Sequence, residues 1–166
     1  MFKKLVTILG FIAGLAAIIV LAGCSSGVNA QEGNYPETVI TPTVTNDTVS
    51  IPVSVINSKH NIHFELATTR DNASFEAYTF NGAIQVRASF CVPCRGTSFT
   101  LSGDKLICDA CGTVFSAKDG TGVSGVAACR SYPKADVAFT TSGDNIVMQA
   151  ADLQTAFNNT LSPGLP

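Results

Sequence analysis

Residues 91–111 read CVPCRGTSFTLSGDKLICDAC, two Cys-x2-Cys pairs separated by thirteen residues. Each pair can wrap an ion as a turn whose backbone N–H groups point at thiolate sulfur, and four such thiolates complete a tetrahedron. Glycine past a pair eases the wrap: Gly112 follows Cys111 at once and Gly96 lies two places after Cys94. Between the pairs, Ser98-Phe99-Thr100-Leu101 and Lys105-Leu106-Ile107 flank Ser102-Gly103-Asp104. That pattern predicts a β-hairpin bringing the pairs together, in the manner of a rubredoxin or zinc-ribbon knuckle. The metal ligands expected are Cys91, Cys94, Cys108 and Cys111.

The spacing favours metal over other cysteine chemistry without choosing the metal: zinc, a single iron and an iron–sulfur cluster all accept four thiolates, and Cu(I) suits soft ligands. Two disulfides are the bland alternative in an exported chain. A fifth cysteine downstream, Cys129 in VAACRSYP, counts against it, since five thiols cannot all pair; it stands as a further ligand or redox thiol. A thioredoxin-type dithiol would enter a helix, whereas Arg95-Gly96-Thr97-Ser98 leads toward a strand. Neither pair is followed by His, as haem c attachment requires, and neither contains the His of a Rieske centre.

Upstream, four alternating runs are expected as strands: residues 49–56 (VSIPVSVI), 62–68 (IHFELAT), 74–80 (SFEAYTF) and 83–90 (AIQVRASF). Asn57-Ser58-Lys59, Arg70-Asp71-Asn72 and Asn81-Gly82 supply the turns, and Pro52 belongs at an edge or bulge. These runs form an antiparallel meander that delivers Cys91. Residues 150–159 (AADLQTAFNN) predict a short C-terminal helix seating Leu153 and Phe157 on the sheet. The fold class is mainly β, a small antiparallel, barrel-like domain with a Cys-x2-Cys hairpin.

The beginning of the chain sets the compartment. Lys3 and Lys4 precede an uncharged apolar run, and Leu21-Ala22-Gly23-Cys24 is similar to a bacterial lipobox. Residues 1–23 are then a lipoprotein signal peptide, with Cys24 acylated and the bilayer its partner; a single transmembrane anchor is the alternative. Residues 24–47, polar with Thr and Pro, read as a flexible spacer, and 48–166 as one domain outside the membrane. Beyond the leader, 8 Lys and Arg (10 less Lys3 and Lys4) face 12 Asp and Glu, about −4 in sum. This gives no basic patch for nucleic acid.

Only two histidines occur. His60 reads as a solvated turn residue, and His63 as partly buried, with a metal or redox role the second reading. Met148 reads as core. No nucleophile elbow, His-Glu-x-x-His or phosphate loop appears, so an accessory protein is favoured over an enzyme.

From about residue 49 to 153 the chain resembles the FtrD-like family of membrane iron–sulfur-containing proteins, through ASFCVPC, LICDACGTVF, DGTGVSGVAACRSYP and NIVMQAADL in that order. It departs where the family carries Gly-Gly before the fifth cysteine and Asn-Pro after it: Ala127-Ala128 and Arg130-Ser131 stand there instead. The resemblance implies iron or an iron–sulfur cluster, electron transfer or iron handling, and a permease or redox partner. Zinc in a structural knuckle remains the alternative.

Overall fold

The computed structural model describes residues 33–67 and 72–163. The expected signal peptide and the lipidation site expected at Cys24 lie outside the described residues. Among the described residues, no helix is long and apolar enough to cross a membrane.

The fold is mainly β, in three sheets. The first orders β2 (Thr38–Val39), β5 (Asn61–Ala67), β6 (Asn72–Phe80) and β7 (Ala83–Ala88), antiparallel except for the parallel β2–β5 pair. The second orders β12 (Thr140–Ser142), β13 (Asn145–Gln149), β4 (Thr48–Pro52) and β3 (Thr43–Thr45). The third, carrying the cysteines, orders β1 (Asn34–Tyr35), β8 (Phe99–Ser102), β9 (Lys105–Cys108), β10 (Val114–Ser116) and β11 (Gly122–Ser124). Three helices complete the chain: α1 (Val53–Lys59), α2 (Ala127–Arg130) and α3 (Ala150–Leu161).

The first sheet is covered on both faces, and strand alternation decides which residue meets which cover. Ile62, Phe64, Phe75, Ala77, Val86 and Ala88 join a core with Val49, Ile51, Ile146, Met148, Leu153 and Phe157. The opposite face of the same strands is polar yet buried: Asn61, His63, Glu76 and Arg87. It meets the backbone of the cysteine ribbon, where Asn61 donates to the Phe99 carbonyl at 2.9 Å, Tyr78 to the Ala117 carbonyl at 2.7 Å and Arg87 to the Lys118 carbonyl at 2.7 Å. Such bonds offset the desolvation of polar groups that an apolar neighbour would leave stranded.

The β6–β7 and β8–β9 hairpins and the helix carrying Leu153 and Phe157 form where the sequence places them. Asn81 and Gly82 take φ of 50° and 77°, as a tight hairpin turn demands. Two expectations are corrected. The strand expected over residues 49–56 stops at Pro52, and Val53–Lys59 is helical, so the expected turn Asn57-Ser58-Lys59 is the last turn of α1. Proline's fixed φ suits the entry to a helix, and Val53 and Ile56, three apart, both turn toward the core. The meander is therefore three strands, β5 to β7, while β4 joins the second sheet.

Within the span 24–47, expected as a spacer, the described part is not all irregular. Residues 34–45 hold β1, β2 and β3. Pro36 and Pro42 cut the segment into pieces too short to show alternation, but their β-branched residues suit edge positions. Asn46 and Asp47, both at positive φ, turn β3 back onto β4.

Candidate metal centre

Two matching loops present the thiols. In the first, Cys91 N–H donates to the Gly96 carbonyl at 2.7 Å and Arg95 N–H to the Cys91 carbonyl at 2.7 Å. In the second, Cys108 N–H donates to Thr113 at 2.9 Å and Gly112 N–H to Cys108 at 2.8 Å. Each loop places a left-handed residue directly after its second cysteine: Gly112 at φ 68°, as its position suggests, and Arg95, not Gly96, at φ 60°. Gly96 serves space instead, since a Cβ there would lie 2.9 Å from Cys108 Sγ. Cys129 comes from α2 and is buried beneath it.

Among the described residues the five cysteines are all free thiols and gather in one place. The Sγ atoms of Cys91, Cys94, Cys111 and Cys129 all lie within 4.8 Å of one another. Cys108 stands beside them, its Sγ 3.7 Å from that of Cys94, while Cys111 and Cys129 are 3.8 Å apart. A tetrahedral ion with metal–sulfur bonds of about 2.3 Å separates its sulfurs by about 3.8 Å, so the donor set fits one thiolate-bound ion. The sequence expectation paired Cys108 with the other three and held Cys129 in reserve; the tightest foursome contains Cys129.

Burial raises the Cys91 thiol strongly and takes Cys108 up to about 12, against N–H groups of Cys111 and Ala110 that favour its thiolate. Burial also raises Cys129. At Cys111 burial opposes ionisation, but hydrogen bonding by the Thr113 hydroxyl and N–H and by Cys94 and Cys108 brings the thiol down to about 6. A cation supplies the positive charge that four clustered thiolates need.

Lys134 supplies some of that charge already. It is buried, with Nζ donating to the Phe90 carbonyl at 2.7 Å and the Tyr132 carbonyl at 2.8 Å. The ammonium also sits 4.3 Å from the Phe115 ring centre. Sequence reasoning passed over this lysine, since nothing in SYPKAD marks a buried cation.

His63 is not among the clustered ligands. Its Nδ1 lies 3.2 Å from Glu37 Oε2 and its Nε2 3.6 Å from Glu65 Oε1, on the wall of a cavity of about 520 Å³ that Thr97 and Ser98 also line. Burial lowers its pKa, but Glu37 and Glu65 outweigh this and the net shift is upward. His60 is half-buried at φ 65°, its ring centre 4.3 Å from that of Tyr35. Met148 is in the core, as expected.

A chain in the solved structure titled "Complex of reduced oxygenase and oxidized ferredoxin in carbazole 1,9a-dioxygenase" is similar in fold, with a TM-score of 0.50 at 14% identity over 64% of this chain and 95% of that one. No curated protein matches. The family described as "Membrane iron-sulfur containing protein FtrD-like" matches residues 56–159, well over half of the sequence and all five clustered cysteines. The chain belongs to this FtrD-like family.

Proposed function

We propose that this protein is a membrane-tethered, extracytoplasmic carrier of cysteine-bound iron, as a single ion or an iron–sulfur cluster, passing single electrons to a membrane partner concerned with iron transport. The observation that carries the reading is the group of four thiols within 4.8 Å on two matching loops and a helix. The family's description as membrane and iron–sulfur-containing supports it. Iron held there would supply a one-electron couple.

The chain's own residues suit that role. Phe99, Leu101, Leu106 and Phe115 bury the inner side of the thiols, limiting water and the reorganisation that accompanies a change of charge. Ala110 and Gly112 are exposed on the outer side, so a partner meets no bulky side chain at those positions. Cys24 would hold the domain at the bilayer, and a permease or an oxidase component would be the partner.

The test is metal and acid-labile sulfide content, with an absorbance spectrum, of the full-length chain purified in detergent without oxygen. Iron with sulfur-to-iron charge-transfer bands is expected. Stoichiometric zinc, or a metal-free chain with two disulfides, would overturn the proposal and leave a structural knuckle.

A further inference from the structure

Three buried side-chain atoms among the described residues lack a partner, Asn61 Oδ1 and both carboxyl oxygens of Glu76, and His63 Nδ1 beside them has only the ion-pair contact with Glu37. All lie on one face of one strand pair. Asn61 and His63 are two apart on β5, and Glu76 stands directly across from His63 on β6. Buried polar atoms are ordinarily satisfied, so several unsatisfied ones together call for protons or water that link them.

Glu76 is the centre of this group and is fully buried. Facing it are Glu37 from the β1–β2 connection, His63 on β5, Arg87 across on β7, Asp109 after β9 and Lys134 after α2, with Tyr78 on its own strand. Neither cation bonds to it. Arg87 is committed to Asp136 at 2.7 Å, the Tyr78 hydroxyl, and the Lys118 and Lys134 carbonyls, and Lys134 to two carbonyls of its own. Burial, with the charge of Glu37, raises the carboxyl well above the ordinary range against the pull of Arg87 and Lys134.

The group has two ends. On the inner side, Lys134 interacts with Glu76 and also with the thiols of Cys91, Cys108 and Cys129. On the outer side, Glu37 meets His63, and His63 meets Glu65, whose side chain is 44% exposed at the cavity.

We infer that Glu76 is the proton site coupled to the redox change of the thiol-bound centre, exchanging with solvent through Glu37, His63 and Glu65. Glu76 keeps its proton while the centre is reduced. When a one-electron acceptor takes the electron, the centre gains one positive charge and the Glu76 O–H bond breaks, leaving a carboxylate. The proton passes, with water as the link, to Glu37 and His63 and on through Glu65 to the cavity and solvent. One electron and one proton leave together, and both return on reduction.

The inference rests on the centre being redox-active. Protein-film voltammetry of the loaded full-length chain from acid to alkaline pH tests it. The midpoint potential is expected to fall by about 59 mV per pH unit, one tenfold change in proton concentration for one electron. Glu76→Gln, which keeps shape and removes the proton site, is expected to flatten that slope. The redox-difference infrared spectrum of the unaltered protein, which needs no variant, should show a protonated-carboxyl carbonyl band lost on oxidation. A reversible wave whose potential ignores pH, or a slope that survives in Glu76→Gln, overturns this inference alone. Absence of any reversible one-electron wave overturns the proposed function with it.

Discussion

Cys129 belongs to the tightest group of four thiols, and Cys108 stands beside it, 3.7 Å from Cys94. Cys108 is the first cysteine of its pair and closes β9, so its backbone is fixed by the ladder and its Sγ turns toward Cys94. Cys129 reaches the opposite side from a separate helix and faces Cys111. Removing a ligand costs affinity, whereas removing a bystander does not. Cys129→Ala is therefore expected to weaken metal binding by about tenfold or more. Cys108→Ala should retain a four-thiolate centre with a small spectral change. Competition with a chromophoric chelator measures both, and equal losses in the two variants would contradict the assignment. Spacing alone made the two pairs legible, because a Cys-x2-Cys turn is local. The place of Cys129 was not legible, since it depends on how α2 lies across the ribbon. Alanine is accommodated before the fifth cysteine because Ala127 and Ala128 open α2 on its exposed side, where a methyl group meets solvent.

The strands β5 and β6 show how alternation carries chemistry as well as packing. The odd–even pattern of NIHFELA and NASFEAYTF was readable, and so was one apolar face. That the polar face is buried too could not be read, because its cover, the cysteine ribbon, arrives from later in the chain. His63 and Glu76 both hold protons in the folded chain that the unfolded chain releases more readily. Stability then falls as pH rises, since the folded state binds more protons. The His63 contribution is fully present below about 6.5, the ordinary histidine value, and is lost as pH climbs through its raised one. The Glu76 contribution begins to fade above about 4.3, the ordinary glutamate value. Chemical denaturation across pH should show both limbs; His63→Gln should remove the upper and Glu76→Gln the lower. A stability that rises with pH over this window would contradict the assigned shifts.

At the scale of the molecule, the chain builds two cores on opposite faces of one sheet. One is all side-chain packing among β4, α1, β5, β6, β7, β13 and α3; the other is the ribbon's aromatic cluster, whose members include Cys91, Cys108 and Cys129. Only the second would draw on a bound ion for the charge balance of its thiols. Metal removal under reducing conditions is expected to release hydrogen-exchange protection in β8 to β10 while β5 to β7 keep theirs. Uniform loss in both would mean that the cores stand or fall together. The second core also involves the chain's first described strand, since β1 pairs with β8 and β2 with β5. That pairing was hidden in a segment without periodicity, and it sets how far the centre can travel. With the lipid on Cys24, as proposed, and Asn34 locked into the ribbon's sheet, ten peptide units separate anchor from fold. At roughly 3.5 Å each they span about 35 Å at most. Under that proposal the domain would be leashed to the headgroups, and a partner would have to present its acceptor within that reach of the bilayer.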